Sequence, residues 1–215
     1  EAVTGSAAIC AEMIGNAMIE NKRIGSDMLR IYHTDETAEW DRIVKSFSEY
    51  DFYYLNGYAK SVEVQEHEEV ILFYYESEYL RGINVVQIRK INDIPFFRDR
   101  LEDRYYDLTT PYGYGGWLLE EKGDISVVGE LDREYSEWCR DHHIVSEFVR
   151  VHPVIANERY LKDFYRVLPC GSVIAIDTKE PDRIWTNMES KTRKSIRKAR
   201  RNEFCVRRST EDEAY

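Results

Sequence analysis

Val70-Ile-Leu-Phe-Tyr-Tyr75, Glu76-Ser-Glu-Tyr-Leu-Arg-Gly82 and Ile83-Asn-Val-Val-Gln-Ile-Arg-Lys-Ile91 together form the stretch on which the fold turns. The outer segments are rich in β-branched and aromatic residues, and the middle one is polar and ends in glycine. They read as two strands of an antiparallel hairpin. From Met28 onward the surrounding chain alternates strand-like and helix-like segments, the rhythm of an α/β or mixed α+β domain. Upstream, Leu29–His33 reads as a strand. Glu36–Phe47 reads as a helix with Trp40, Val44 and Phe47 on one face and Asp35 near its start. The aromatic-rich stretch Asp51–Val62 reads as a turn and a short helix.

Downstream of the hairpin and a charged loop around Asp93–Arg104, a strand is expected at Tyr105–Leu108 and irregular backbone at Thr109–Trp117. A helix follows at Glu130–His142, where Leu131, Tyr135 and Trp138 are spaced four and three apart. Ile144–Val151 reads as a strand, Glu158–Tyr165 as a short helix and Ser172–Asp177 as a strand. Pro181 opens a helix in which Trp185, Met188, Thr192, Ile196 and Ala199 mark one side as far as Arg201. Phe204–Arg207 reads as one strand more. Residues 1–27 read as an extension, in which Ile9, Met13 and Ala17 fit one helical face.

The chain has 215 residues, 43% of them hydrophobic and 33% charged, which excludes collagen-like, wholly disordered and membrane-spanning classes. Neither a signal peptide nor a transmembrane helix is expected. Cys10, Cys139, Cys170 and Cys205 lie far apart without a CxxC pair, which points to a reducing, cytoplasmic setting. A net charge of -10 argues against nucleic-acid binding over the whole surface. Residues 184–208, however, hold nine basic side chains against Glu189 and Glu203, a local +7 that leaves -17 on the rest. Ile196 and Ala199 interrupt this run at helical spacing, so it reads as an amphipathic helix. Its basic face suits a polyanion, a pyrophosphate or an anionic membrane surface, and equally a plain solvated exterior.

Two further segments carry chemistry. In Thr109-Thr-Pro-Tyr-Gly-Tyr-Gly-Gly116, three glycines let backbone approach a ligand and two tyrosines offer apolar faces with hydroxyl tips; the same text also suits a tight turn over the core. It matches neither nucleotide phosphate-loop pattern. In Phe148-Val-Arg-Val-His-Pro153, alternation sets Arg150 and His152 on the face opposite Val149 and Val151. Arg150 suits an anionic group there, or an internal acid. Cys139, His142 and His143 do not have the spacing of a zinc site, so no metal is expected. No GxSxG or HExxH motif anchors a hydrolase reading.

Taken in order, Asp51-Phe-Tyr-Tyr-Leu-Asn-Gly-Tyr58, Asp107-Leu-Thr-Thr-Pro-Tyr-Gly-Tyr-Gly-Gly116, Phe148-Val-Arg-Val-His-Pro153 with Asn157, and Trp185 followed by Lys191-Thr-Arg-Lys-Ser-Ile-Arg-Lys-Ala199 resemble the FemAB-like branch of the GNAT acyltransferase superfamily. That branch includes the FemABX peptidoglycan aminoacyltransferases. The resemblance spans about residues 28–208 and implies two similar units, each a mixed sheet flanked by helices, with a substrate groove between them. On that reading residues 1–27 are an extension, 28–180 the first unit, and 181–215 the basic helix and the start of a second unit. The first unit's face of the groove would be lined by Tyr112, Gly113, Tyr114, Gly115, Gly116, Arg150, His152 and Asn157. Arg193 and Arg197 would meet phosphate or other anionic groups of the substrate.

The implied activity is transfer of an aminoacyl or acyl group to an amine of a peptidoglycan precursor or similar cell-envelope substrate, at the cytoplasmic face of the membrane. The donor stays open between aminoacyl-tRNA and acyl-CoA, because no acetyl-CoA pyrophosphate loop of the usual GNAT type is present. No permanently bound cofactor is implied, and tRNA and the membrane surface are further candidate partners. Trp117 departs from the small residue or proline that relatives commonly have there. Because the chain ends where the second unit is expected, these residues alone are expected to be a binding half with little transfer activity. No residue is marked as the catalytic base. Outside this resemblance, the basic helix supports a non-catalytic module for RNA or other anionic ligands, or a domain kept for assembly.

Overall fold

The computed structural model describes residues 4–13, 28–121, 128–162, 164–174, 176–202 and 204. The chain divides into two compact units, Thr4–Val173 and one holding the described residues from Ile174 onward. The first contains β1 (Thr4–Met13), β2 (Leu29–His33), α1 (Thr37–Lys45), α2 (Asn56–Glu66), β3 (Glu69–Glu76) and β4 (Leu80–Lys90). It continues with β5 (Tyr106–Thr109), β6 (Leu118–Glu121), α3 (Val128–Asp141), β7 (Ile144–Arg150) and β8 (Tyr165–Ile174). The strands form one mixed sheet in the order β2-β3-β4-β5-β7-β1-β8, with β6 beside β4. The mixed α+β class expected from the sequence is therefore present.

β3 explains how the sequence reaches this architecture. Val70, Leu72 and Tyr74 point into a core shared with Trp40, Val44, Tyr54 and Val62, under α1 and α2. Ile71, Phe73 and Tyr75 point into the opposite core with Leu131, Tyr135 and Leu108, under α3. A strand buried on both faces has no polar alternation to keep, hence the unbroken apolar run at 70–75. The hairpin register pairs Ile71 with Val86 and Phe73 with Asn84. Its turn is tighter than Glu76–Gly82. The Ser77 N–H donates to Leu80 O at 2.8 Å and the Leu80 N–H to Ser77 Oγ at 3.0 Å. Gly82 already lies inside β4, opposite Tyr75 and Leu119, where a Cβ would stand 2.6 Å from Leu119 Cδ2. Its missing side chain admits the one from β6.

β5 is locked to β4 by the Arg89–Asp107 pair, with Nε to Oδ1 at 2.9 Å and the terminal nitrogen to Oδ2 at 2.6 Å. β5 and β7 are the one parallel pair among the described pairings. Both therefore end on the same side of the sheet, which positions the site below.

Several elements differ from the sequence expectation. Thr4–Met13 is a strand between β7 and β8, not a helix face. The remainder of the 1–27 segment, including Ala17, lies outside the described residues. Asp35 does not cap α1; Glu36 precedes it, and its carboxylate accepts the His33 N–H at 2.9 Å. β6 was not anticipated. The short helix expected at 158–165 is a single 3-10 turn at Asn157–Tyr160, and the strand expected at 172–177 starts earlier, at Tyr165. Gly171 bounds the expected strand, yet it and Pro169 both fall within β8, which ends the strand order, where a missing N–H is tolerated.

In the second unit the single helix expected from Pro181 to Arg201 is two, α4 (Pro181–Asn187) and α5 (Ser190–Arg201). Met188 is extended between them, with φ -65° and ψ 140°. Residues 205–207 of the expected final strand lie outside the described residues. No helix among the described residues is long and apolar enough to cross a membrane.

Candidate functional site

The site lies where β5 and β7 end side by side. A crevice at the carboxyl ends of adjacent parallel strands is a recurrent ligand position, because two connections leave the sheet there together. After β5 the chain leaves as Thr110–Trp117 and is tied back to β7 at both ends. Thr110 N–H donates to Phe148 O at 3.1 Å and Arg150 N–H to Thr110 Oγ1 at 2.9 Å. Gly115 N–H donates to Arg150 O at 2.8 Å, and Gly115 bridges Val151 in parallel. The excursion between these ties presents Tyr112, which is 79% exposed.

Why this loop needs glycine is visible at Gly113. Its φ is +114°, and a Cβ would lie 2.1 Å from the Tyr53 ring. Tyr53 is thereby seated in an aromatic group with Phe52 (4.0 Å), Tyr58 (5.3 Å) and Tyr114 (5.9 Å between ring centroids). Tyr58 donates its hydroxyl proton to the Tyr112 carbonyl. The Arg150 guanidinium lies over the Tyr112 ring, 5.9 Å from its centroid, and is exposed. Burial pushes the Tyr53 and Tyr58 phenols above their ordinary range, and the Asp51 carboxylate adds to the shift at Tyr53. At neutral pH both therefore stay protonated, as hydrogen-bond donors.

Behind this shelf stand His152 and Asn157, both nearly closed to solvent at 4% and 1% exposure. His152 Nδ1 accepts the Ile155 N–H at 3.1 Å and the Val154 N–H at 3.3 Å. That places the ring proton on Nε2, which donates to Asp51 Oδ2 at 3.3 Å. Asp51 Oδ1 is buried with no hydrogen-bond partner among the described residues. The Asn157 amide donates to the Gly115 and Trp117 carbonyls, each at 3.0 Å, and accepts the His152 N–H at 2.9 Å. Tyr54 donates to the Gly116 carbonyl at 2.8 Å. Three motifs far apart in the chain, 51–58, 107–116 and 148–157, thus share one hydrogen-bonded framework.

His152 and Asn157 accordingly hold the loop rather than face a ligand with free polar atoms. Gly115 and Gly116 are buried in the framework, so Tyr112, Gly113, Tyr114 and Arg150 form the accessible part of the predicted set. Beyond Asn157 a cavity of about 510 Å³ opens along β6, bordered by Phe47, Glu49, Leu118 and Ile155. Trp117, the departure noted in the sequence, packs edge-on to Tyr135 at 5.3 Å and anchors the loop's far end in the core. Asp51, Phe52, Tyr53 and Tyr58 were not anticipated as site residues. The density of aromatics in 51–58 was the available signal.

Arg193 and Arg197 belong to α5, in the other unit. Arg193 is occupied locally, donating to the Trp185 and Thr186 carbonyls at 3.3 and 2.8 Å, and so ties α5 to the end of α4. Arg197 and Arg200 lie over the Trp185 ring at 5.5 and 5.7 Å and are solvent-exposed.

Glu147 on β7 is a buried carboxylate outside this surface. It accepts hydrogen bonds from Tyr165 Oη at 2.7 Å and Asn84 Nδ2 at 3.2 Å. Burial raises its pKa, and at 1% exposure it is no candidate base for a bound substrate. Comparison with family models, curated proteins and solved structures finds no match to this chain.

Proposed function

We propose that the protein is an N-acyltransferase of the FemAB-like GNAT type, moving an aminoacyl or acyl group to an amine of a peptidoglycan precursor or similar cell-envelope acceptor. The observation that carries this reading is the meeting of three of the four family-like motifs at the ends of the parallel strands β5 and β7. Acyl transfer needs an amine held against an activated ester or thioester, loss of its proton, and donors for the developing oxyanion. The shelf offers the first and third: aromatic faces and Arg150 for orientation, and the protonated Tyr53 phenol as a donor, the Tyr58 hydroxyl being spent on the Tyr112 carbonyl. His152 and Asn157 hold the loop that carries them. No carboxylate is appointed as the base.

The test is transfer of a labelled group from aminoacyl-tRNA, or from acyl-CoA, to a precursor carrying a free amine. Product that falls at least about tenfold in Arg150→Ala, the loss of about 1.4 kcal/mol of transition-state binding, supports the reading. Failure with both donors, together with no binding of the acceptor, contradicts it.

A second reading rests on the basic segment: a non-catalytic module for RNA or another polyanion, favoured by the exposed basic residues of α5 and by the contacts of Arg197 and Arg200 with the Trp185 ring. Salt-sensitive tRNA binding that weakens in Arg197→Ala, without transfer, would favour it. Arg193→Ala is the less specific variant because Arg193 also ties α5 to α4.

A further inference from the structure

Among the described residues β6 has a strand on one edge alone. It pairs antiparallel with the start of β4, Leu118 opposite Ile83 and Glu120 opposite Arg81. Which backbone groups that pairing uses follows from the hairpin: the Leu80 carbonyl accepts the Ser77 N–H at 2.8 Å, so it faces β3. Along an antiparallel strand, successive residues turn their N–H and C=O to opposite sides. Gly82 therefore also faces β3, while Arg81 and Ile83 face Glu120 and Leu118 of β6. Leu119 and Glu121 are left with their N–H and C=O directed away from β4. The Trp117 carbonyl, two residues before Leu119, is taken on that same side by the Asn157 amide at 3.0 Å. Leu119 has no main-chain partner there among the described residues.

This open edge borders the cavity of about 510 Å³. Leu118, Leu119, Glu120 and Glu121 all line it, although Leu118 belongs to the core under α1 and α2 and Leu119 to the core under α3. Consecutive side chains of a strand point to opposite faces, so a cavity that meets all four meets the strand edge-on. Ile155, Asn157 and Arg159 border it from the chain that has turned away after the Gly115–Val151 bridge. The sheet thus has a gap beside β6, closed by Asn157 at the Trp117 end. Charge selects little here: Glu120 is taken by Arg81 Nε at 2.6 Å, and the other charged lining residues are Glu49, Glu121 and Arg159. The unpaired main chain is the specific feature, and its complement is another extended main chain.

We propose that this groove binds an extended peptide of three or four residues, added to β6 as a strand and hydrogen-bonded to the N–H and C=O of Leu119. The four residues of β6 offer about 13 Å of edge, at about 3.3 Å per residue, which sets that length. The groove differs from the aromatic shelf in reading backbone rather than presenting side chains, and strand addition holds or fails apart from acyl transfer.

The experiment is amide-resolved NMR titration with the capped pentapeptide acetyl-Ala-Val-Ala-Val-Ala-amide, with the same peptide N-methylated throughout, and with acetyl-CoA. The parent peptide should move the Leu118–Glu121 amides. At about ten times its Kd it should slow hydrogen exchange at Leu119 about tenfold. N-methylation keeps the side chains and removes the donors, so the methylated peptide should bind at least about tenfold more weakly. Glu49→Trp, which fills the groove from an exposed position, should abolish binding of the parent peptide while the spectrum remains that of a folded protein. The proposal is overturned if the parent peptide leaves Leu118–Glu121 in place, if the methylated peptide binds as tightly, or if acetyl-CoA and not the peptide moves these amides.

Discussion

Replacing Asn157 tests how the site is held together. Its side chain makes three buried hydrogen bonds, to the Gly115 and Trp117 carbonyls and from the His152 N–H. Each is worth about 1 kcal/mol net, and each partner left unsatisfied in the interior adds to the cost. Asn157→Ala should therefore lose about 3–4 kcal/mol. In a chain of this length that corresponds to a fall in Tm of about 10 °C, which differential scanning calorimetry would read directly. Asn157→Asp discriminates between loss of volume and loss of donors. The carboxylate keeps the size and the acceptor for His152 N–H but sets negative oxygen against two carbonyl oxygens, so it should be at least as destabilising as alanine. An Asn157→Ala loss below about 1 kcal/mol, or an Asn157→Asp protein as stable as the wild type, would refute the framework described above.

Other perturbations follow from the same structure. Glu147 has a folded-state pKa raised above its ordinary 4.5 by burial, so the native state binds more protons than the unfolded one and stability falls as pH rises upward from that value. Glu147→Gln should flatten that slope in urea titrations carried upward from about pH 5, and parallel profiles for the two proteins would contradict it. Gly113→Ala would place a methyl group 2.1 Å from Tyr53 at a φ of +114°, and should displace that ring and cost about 2 kcal/mol or more. Near-ultraviolet circular dichroism should report the disturbed aromatic group. Arg150→Ala removes an exposed side chain and should change stability by less than about 0.5 kcal/mol while weakening anionic ligands; a large fall in Tm would mean that Arg150 is structural.

What the sequence disclosed divides along physical lines. β2 was read to the residue and the β3–β4 hairpin nearly so, because local composition and spacing suffice where a strand is apolar or a turn is polar. α1 and α3 were legible from single apolar faces. β6 is four residues long, too short for a period to appear, and it exists because β5 leaves β4 and frees an edge. β1 joins the sheet through β7, more than a hundred residues away, a pairing that no local pattern encodes. β8 starts ahead of its expected position because Gly171 looks like a boundary, although a strand at the end of the order tolerates both it and Pro169. The extended Met188 splits the basic segment into two helices that share an apolar stripe in sequence.

The site was legible as text but not as roles. The glycine-tyrosine loop, Arg150, His152 and Asn157 stand out in the sequence, and the structure brings them together. Which of them face outward depends on the three-way contacts of the Asn157 amide and on the two backbone donors at His152 Nδ1, and neither follows from alternation. Asp51 and Tyr53 enter the site only because the 3-10 turn at Phe52–Tyr54 is pressed against the loop at Gly113.

The most direct test of the central claim, that the loop after β5 and the end of β7 form one ligand-binding surface, is to titrate labelled protein with a soluble peptidoglycan precursor and follow individual amides. Tyr112–Gly116 and Arg150 should move together on one binding curve, and Arg150→Ala should weaken that curve severalfold. Shifts confined to other parts of the protein, or an Arg150→Ala curve identical to the wild type, would contradict it.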